Sequence, residues 1–353
     1  MPESEDPGRR RSVAAGRVKR PTMTDIAARV GVSQSLVSLI FRNQPGASAQ
    51  TRERVFEVAR ELGYRPDAAA QLLRRARSRQ LGVLFTMRHP HDVDIVEALY
   101  PAAQRRGYTV VLSAMVPGRD EQQAMADLLG MRSEAIIVIG PAESSARQLA
   151  TVAEQVPVVD INRRVRAAGV DSVRTADAHG VRQAVDHLAG LGHRAITHVD
   201  GGAMPGADER RRGYRAAMRR HGLAEHVQVL AGDYTEEAGA RAARELLAGE
   251  ELPTAVIAGN DRSAHGVLAT FVRAGVRVPG DISIVGYDDS RVAQLSFIDL
   301  TSVRQAAADV AELAIQAASE RLDDGRTSDR DIVLAPTLVV RGSTGPAGPV
   351  RPT

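Results

Sequence analysis

The sequence of 353 residues contains no cysteine and no tryptophan, and Lys19 is its single lysine. The absence of cysteine excludes disulfide bonds, thiolate metal sites and cysteine nucleophiles. The shortage of lysine excludes a Walker-type phosphate loop beyond the N-terminal region. Aromatic residues make up only 3% of the chain, so a pocket that relies on ring stacking must use a handful of Tyr and Phe side chains. No apolar run approaches the roughly 20 residues that a membrane-spanning helix needs.

Sequence motifs of common enzyme classes are also missing. GxSxG and HExxH do not occur, and Gly201, Gly202 and Gly206 do not have the spacing of a GxGxxG dinucleotide loop. We therefore expect no enzymatic activity, no cofactor and no metal ion. The first residues lack the apolar segment of a secretory signal, so a cytoplasmic location without membrane contact is predicted.

Positive charge is concentrated near the N-terminus. Residues 1–79 carry 16 Lys and Arg against 8 Asp and Glu, whereas the remaining residues carry 30 against 35. A basic segment attached to a mildly acidic body is typical of proteins that bind nucleic acid. Residues 1–20 are rich in Gly, Pro, Ser and charge without periodicity, which predicts a disordered basic arm.

Residues 22–41 have the pattern of two short helices joined by a tight turn. Thr22 is placed to cap the first helix, with Asp25 as its reciprocal partner. Gly31 supplies the turn, and Ser33 caps the second helix. The apolar faces of the two helices consist of Ile26, Ala27, Val30, Val37, Ile40 and Phe41. This arrangement exposes the start of the second helix, which is the part of a helix-turn-helix that meets base edges.

A third helix follows, capped by Ser48 and ending near Gly63, and Arg65-Pro66-Asp67 then stops it and offers a new cap. The next residues, AAAQLLRRARSR, form a helix-capable stretch that ends in a basic run. This order of elements, with TDIAARVGVSQSLVS and ELGYRPDAAA, resembles the LacI/GalR family of transcriptional regulators. The alternative is a small helical subdomain that packs on the rest of the chain.

From residue 80 onward, short apolar strands alternate with amphipathic helices, and the pattern restarts after Asp171. Such alternation predicts βαβ units and parallel sheets covered on both faces. HLAGLGHRAI, AVIAGNDRSAHGVL and AGVRVPGDISIVGYDDS also resemble the LacI/GalR core. The resemblance implies an α/β fold: a helix-turn-helix headpiece and a two-lobed core of doubly wound parallel sheets, like a periplasmic binding protein. It further implies three crossovers between the lobes and a ligand in the cleft.

These patterns predict where the segments of the chain begin and end. The predicted segments are a disordered arm at 1–20, a helix-turn-helix domain at 21–66, a hinge helix and linker at 67–79, a core at 80–343 and a disordered tail at 344–353. The predicted lobes comprise about 80–162 and 291–322 for the first, and about 163–290 and 323–343 for the second.

Polar residues follow several predicted strands of the core. Ligands of parallel sheets bind beyond the carboxyl ends of the strands, so these residues are candidates for a ligand site. The predicted effector-binding residues are Asp160, Arg210, Tyr234, Asn260, Asp261 and Asp288. Carboxylates, an amide and a guanidinium can bind a polyhydroxylated ligand, with the Tyr234 ring stacked under it. The alternatives are helix caps at Asn260 and Asp288 and a surface aromatic at Tyr234.

The sequence departs from the family in two places. After the first core strand, family members that bind sugars or purines often carry Asn-Pro-Phe-like residues, whereas this chain has TMRHPHDVD with His89 and His91. The effector class therefore stays open. On the second helix, a position that is often Arg in the family is Leu39, so a bidentate Arg–guanine contact is not expected there.

The resemblance implies a sequence-specific DNA-binding transcriptional regulator. We expect a repressor that binds a palindromic operator as a homodimer and is switched by a small effector, a sugar or sugar derivative. The alternatives are a regulator that responds to nucleosides or purines, and a solute-binding protein without a regulatory role. A dimer is favoured over a tetramer because the C-terminus shows no heptad repeat. The predicted DNA-binding residues are Thr22, Thr24, Ser33, Gln34, Ser35, Leu36, Ser38, Arg42, Asn43, Ser48, Thr51, Arg52, Ala70 and Leu73, the last as a wedge between base steps.

Overall fold

A computed structural model describes residues 21–64, 77–87, 89–140 and 145–348 of the chain. The chain divides into two compact units, Met1–Arg77 and Ser78–Thr353. The predicted basic arm, most of the hinge segment with Ala70 and Leu73, and the last five residues lie outside the described residues.

The first unit contains a headpiece of three helices. They are α1 (Met23–Val30), α2 (Gln34–Phe41) and α3 (Ala49–Glu61). Thr22 and Asp25 form a capping box on α1, and Gly31 ends that helix in the left-handed conformation with φ of 76°. Side chains of all three helices bury one apolar core: Ile26, Ala27, Val37, Ile40, Val55, Val58 and Ala59. The predicted helix-turn-helix with a third helix is confirmed.

The second unit contains two lobes, each built on one six-stranded sheet. The strands of the first lobe are β1 (Gln80–Thr86), β2 (Thr109–Met115), β3 (Ala135–Ile139), β4 (Val158–Ile161), β5 (Val170–Thr175) and β11 (Asp331–Leu334). Its helices are α4 (Pro90–Arg105), α5 (Glu121–Gly130), α6 (Ala146–Ala153) and α11 (Ala307–Asp323). The strands are parallel, in the order β2-β1-β3-β4-β5-β11.

Neighbouring residues of a strand point to opposite faces of the sheet, and both faces of the first sheet are covered. Val83 belongs to the apolar cluster under α4 and α11, whereas Leu84 belongs to the cluster under α5 and α6. This is the doubly wound arrangement that the continuous apolar strands predict.

The second lobe repeats the arrangement. Its strands are β6 (Ile196–Val199), β7 (Gln228–Leu230), β8 (Ala255–Ala258), β9 (Ser283–Asp288), β10 (Thr301–Arg304) and β12 (Thr337–Val339). Its helices are α7 (Asp177–Gly190), α8 (Ala207–Arg220), α9 (Glu236–Leu247) and α10 (Asp261–Arg273), with a short 3-10 helix at Ala224–His226. The order is β7-β6-β8-β9-β10-β12, and only β12 runs antiparallel to its neighbour.

The chain passes between the lobes after β5, after β10 and between β11 and β12. The predicted lobe boundaries therefore need correction, because 163–175 and 323–334 lie in the first lobe and 291–304 lies in the second. The physical reason is Asp171 of β5, which is fully buried and accepts hydrogen bonds from Arg321 and Arg326 of the same lobe. A paired carboxylate inside a sheet interrupts the apolar pattern by which a strand is recognised.

The predicted tail at 344–353 also begins too early. The backbone N–H of Ala347 donates to the carbonyl of Leu191 at 2.9 Å, and His187 hydrogen-bonds to the Thr344 hydroxyl. Residues 344–348 thus belong to the second lobe. Within the part of the chain that the structure describes, no helix has the length and apolar character needed to cross a bilayer.

In each sheet the strand order reverses beside the first strand, between β1 and β3 and between β6 and β8. Loops that follow these strands diverge to opposite faces of the sheet and leave a crevice at the carboxyl ends. The fold therefore provides two crevices, one on each lobe.

Candidate effector cleft and nucleic-acid interface

Side chains that follow the carboxyl ends of strands in both lobes line one cavity, which we call the effector cleft. The lining residues are His89, His91, Asp92, Gly140 and Asn162 of the first lobe, and Asp177, Met204, Pro205, Arg210, Tyr234, Asn260, Asp288 and Gln305 of the second. Four of the six predicted effector-binding residues are among them.

Arg210 occupies the centre of the second-lobe wall. It lies one turn into α8 and is only 5% exposed. Its Nε donates to Asp177 at 2.8 Å, and its Nη1 donates to the carbonyl of Gly259 at 2.6 Å. Burial lowers the pKa of Arg210, but the combined electrostatic effects of Asp177, Tyr234, Tyr287 and Asp288 more than offset this, so the guanidinium pKa is raised above its usual value. Arg210 is therefore a fixed positive charge in the cleft.

The Tyr234 ring supports Arg210. The guanidinium carbon lies 5.2 Å from the ring centroid, and a Cβ atom on Gly201 or Gly259 would overlap the ring. The ring is therefore enclosed rather than open as a stacking platform, and it is 5% exposed. The enclosure also gives Gly201 a packing role, because a side chain at this position would meet the Tyr234 ring.

Asn260 and Asp288 both reach the cleft. Asn260 lines the cavity and also caps α10, because its Oδ1 accepts from the backbone N–H of Ser263 at 2.9 Å. Asp288 Oδ1 accepts from Gln305 Nε2 at 2.7 Å. Asn260 is therefore both a helix cap and a residue of the cleft wall.

Some of the cleft residues have a strained backbone. Three lining residues other than glycine have positive φ: 77° at Asn162, 65° at Tyr234 and 113° at Asp288. Each such conformation costs about 1–3 kcal/mol, and it persists only where the surroundings impose it, commonly at functional sites. The strain is independent support for a ligand site.

Two predicted effector-binding residues do not line the cleft. Asp160 lies within β4 and accepts hydrogen bonds from Arg163 at 2.9–3.1 Å. Strand β4 runs on to Ile161, so the first residue beyond it is Asn162, which lines the cavity instead. Asp261 accepts from the Ser302 hydroxyl and the Ser290 backbone N–H at 2.6 and 2.7 Å. Both carboxylates are therefore satisfied by their own lobe.

The first-lobe wall contains residues that were not predicted as ligand contacts. Pro90 starts α4, so His91 and Asp92 lie in its first turn, each 5% exposed. Burial and then Asp288 raise the pKa of Asp92 to about 7, and burial raises the pKa of Asp288 to about 7. Burial and then Arg210 lower the pKa of His91 to about 4. The one sequence feature that pointed to these residues is TMRHPHDVD, which differs from the Asn-Pro-Phe-like residues of other family members.

Asp177 and Gln305 were also missed. Asp177 is the first residue of α7, directly after the crossover from β5. Gln305 follows β10 at the next crossover. The strands that precede them, β5 and β10, contain buried polar residues that interrupt the apolar pattern. Because the ends of these strands cannot be recognised from the sequence, the strand-end argument did not select Asp177 or Gln305.

The headpiece exposes one polar stripe on α2. Gln34 and Ser35 are exposed, and Ser38 and Arg42 follow at helical spacing on the face opposite buried Val37. Leu36 differs from the expectation, since it is half-buried and packs against the headpiece core. The stripe is compatible with base contacts from Gln34 and Ser35.

Other predicted DNA-binding residues take part in the structure of the headpiece itself. Arg52 donates to the carbonyls of Ile40 and Gln44 at 3.3 and 2.8 Å and to Asn43 Oδ1 at 3.4 Å. It therefore closes the loop between α2 and α3. The other predicted residues of this group lie on the headpiece surface or in its caps: Thr22, Thr24, Ser33, Ser48 and Thr51.

Comparison with known proteins agrees with this architecture. The family model of bacterial regulatory proteins of the lacI family matches residues 22–67, and that of a periplasmic binding protein-like domain matches residues 185–344. The HTH-type transcriptional repressor PurR of Erwinia tasmaniensis is 30% identical over 341 residues, which cover 94% of this chain and 98% of that protein. The chain belongs to the LacI family.

Solved structures support the same assignment for this LacI-family protein. A LacI transcriptional regulator from a Rhodococcus species is 44% identical, with a TM-score of 0.73 over 76% of this chain and 99% of that one. The lac repressor dimer bound to operator and the anti-inducer ONPF is 26% identical, with a TM-score of 0.77 over 93% and 100%. The LacI-family member described here is thus a DNA-binding transcriptional regulator rather than a member of an enzyme family.

Proposed function

We propose that this protein is a repressor that acts in the cytoplasm, binds a palindromic operator as a homodimer and is switched by a small polyhydroxylated effector. The observation that carries the effector assignment is the convergence of Arg210, Asn260 and Asp288 on one cavity. A guanidinium, an amide and a carboxylate supply donors and acceptors in fixed positions, as a ligand rich in hydroxyl groups requires.

The aromatic content of the cleft favours a polyol over a purine. Among the described lining residues, Tyr234 is the only Phe, Tyr or Trp, and one face of its ring is taken by Arg210. A flat base gains most from stacking between open aromatic faces. Hydroxyl groups need hydrogen-bond partners instead, and the cleft is rich in these.

A ligand can change DNA affinity only if it binds two arrangements of the protein differently. The cleft is lined from both lobes, so a bound ligand biases the angle between them. Ion pairs already bridge the lobes: Arg291 pairs with Asp94 and Glu97, and Arg174 pairs with Glu209 at 3.5 Å. The first lobe follows the headpiece in the chain. A change in the position of this lobe can therefore couple effector binding to DNA binding.

Selection of bound duplexes from random DNA tests the regulatory proposal. We expect inverted half-sites about one helical turn apart, as two recognition helices of a dimer require. Gln34→Ala should relax the preference at one position of each half-site by about 1–3 kcal/mol. Glu57→Ala on the exposed face of α3 is the matched control. Enrichment of unrelated or single asymmetric sites would refute the proposal.

Loss of response in a cleft variant tests the effector site. Asp288→Asn should abolish release of operator by the compound that releases the wild type, while its operator affinity without compound stays unchanged. Asp208→Asn, a substitution at a 60% exposed side chain of the same lobe, is the control. If Asp288→Asn responds at wild-type concentrations, the effector binds elsewhere.

A further inference from the structure

The charges of the effector cleft do not balance. Three carboxylates line it, those of Asp92, Asp177 and Asp288, against one guanidinium, that of Arg210. Arg210 Nε donates to Asp177, which is thereby paired. Neither Asp92 nor Asp288 is within ion-pair distance of a basic side chain in the described parts of the chain. Two buried carboxylates from opposite lobes are therefore left in one cavity.

Few hydrogen bonds within the protein satisfy these two carboxylates. Asp92 Oδ2 has the Thr86 hydroxyl at 3.4 Å, and Asp288 Oδ1 has the amide of Gln305 at 2.7 Å. A buried charge is costly unless it is paired and hydrogen-bonded. The cleft thus presents acceptor atoms in excess.

A second observation comes from His91, beside Asp92 on the same helical turn. Its Nε2 atom is buried and has no hydrogen-bond partner among the described residues. The side chain lines the cavity and is 5% exposed. An unsatisfied buried ring nitrogen at a cavity wall indicates a partner that the ligand supplies.

The electrostatic surroundings of Asp92 and Asp288 agree with their geometry. Burial raises both pKa values, and Asp288 acts in the same direction on Asp92. Arg210 lowers the pKa of Asp288, whereas Asp177 and Asp94 raise it. Asp94 itself pairs with Arg291, and buried His91 is neutral near pH 7. The positive charge that acts on Asp288 is therefore that of Arg210, which already pairs with Asp177.

We propose that the effector carries a protonated amine that binds between Asp92 and Asp288, on a body whose hydroxyl groups bind Arg210, Asn260 and His91. The inference rests on the proposed function, because it names the chemical class of that effector. A hydroxyl group donates one hydrogen bond and leaves both charges uncompensated. An ammonium group donates three and supplies the opposite charge, in charge-assisted bonds that are roughly twice as strong as neutral ones.

The proposal also accounts for the departure from the family at this wall. Members that bind sugars or purines often carry Asn-Pro-Phe-like residues in the stretch where this chain has His89-Pro90-His91, followed by Asp92. His91 takes the place of the aromatic residue, and its ring nitrogen can hydrogen-bond to a ligand, which a phenyl ring cannot do. In this chain, His91 and Asp92 are therefore specificity-determining residues.

Matched pairs of compounds test the proposal on the full-length protein. Glucosamine and glucose, galactosamine and galactose, and glucamine and sorbitol differ in one amine, whereas adenosine represents a neutral nucleoside and gluconate an anion. Thermal shift identifies binders, because a ligand of the native state raises apparent stability by mass action. Calorimetry then measures affinities. We expect an amine to bind at least about tenfold more tightly than its hydroxyl counterpart, which corresponds to about 1.4 kcal/mol.

Variants at Asp92 test whether its carboxylate causes the preference for an amine. Asp92→Asn should lower the affinity for the amine at least about tenfold and leave that for the hydroxyl counterpart within about twofold. Asp309→Asn, an exposed residue in the first turn of α11, is the matched control. Affinity of the wild type for glucamine, whose alkylamine stays protonated over this range, should rise between about pH 6 and 8, because binding displaces protons from the carboxylates. The thermal midpoint of each unliganded variant shows that it is folded.

Each outcome decides the question. A neutral or anionic binder that is insensitive to Asp92→Asn overturns the amine assignment but leaves the ligand-switched repressor intact. The absence of any thermal shift with the amines also overturns it. Failure of the protein to select an operator would refute the proposed function instead, and it is measured separately from ligand binding.

Discussion

Replacement of Arg210 by Ala should strongly destabilise the second lobe. The side chains of Arg210 and Asp177 are each 6% exposed, so the substitution leaves a buried carboxylate without its partner. Removing one member of a buried pair costs about 3–5 kcal/mol. Because 1 kcal/mol moves the thermal midpoint of a domain of this size by about 2–4 °C, we expect the midpoint to fall by roughly 10 °C.

Two variants separate the pair from the general loss of an arginine. Arg212→Ala removes a 65% exposed guanidinium that pairs with Asp208 on the same helix, and such pairs contribute about 0–1 kcal/mol. Asp177→Asn in the Arg210→Ala background removes the uncompensated charge and should restore part of the lost stability. Urea unfolding followed by circular dichroism measures all three variants.

Two results would contradict this expectation: an Arg210→Ala variant that is as stable as Arg212→Ala, or a further loss of stability when Asp177→Asn is added. Below its thermal midpoint, Arg210→Ala should still bind operator, because the headpiece is a separate compact unit. It should have lost the effector response, since the central donor of the cleft is missing.

Three further predictions concern the cleft and the headpiece. Burial raises the pKa of Asp92 to about 7, so folding favours its protonated form and wild-type stability falls as that proton is lost. The stability of Asp92→Asn relative to wild type, measured as the difference in free energy of unfolding, should therefore grow from about pH 4 to 7 and stay level above. A difference that does not change with pH in urea titrations would contradict this. Gly201→Ala should displace the Tyr234 ring and weaken the effector response in operator-release assays more than Gly249→Ala does, since a Cβ at Gly249 has more room. Operator affinity in binding titrations between about 50 and 200 mM salt should fall with a log–log slope of several units, whereas a slope near one would exclude multiple phosphate contacts.

Local signals in the sequence predict the headpiece well. The caps at Thr22, Ser33 and Ser48 and the turn at Gly31 depend on residues that are close in the chain, and the structure places each as expected. The partners of Arg52 were not predictable in this way. Its contacts with the end of α2 lie 8 to 12 residues away and depend on how α3 packs.

The cleft was predictable only in part, because many of its contacts join residues that are far apart in the chain. Strand-end positions selected Arg210, Asn260 and Asp288, because the carboxyl edge of a parallel sheet is recognisable from local pattern. The choice of Asp160 failed because β4 runs one residue further, to Ile161, so that Asn162 is the first residue beyond the strand. The juxtaposition of Asp92 with Asp288 depends on the docking of two lobes, which no local pattern specifies.

We expect effector and operator to bind this protein with coupled affinities. Calorimetric titration of the effector that the screen identifies, into free protein and into protein saturated with selected operator, tests it most directly. Coupling is reciprocal, so the affinity of the effector for the operator complex should differ from its affinity for the free protein by the same factor by which the effector changes operator affinity, typically about 5- to 150-fold. Equal affinities in the two titrations would contradict the account.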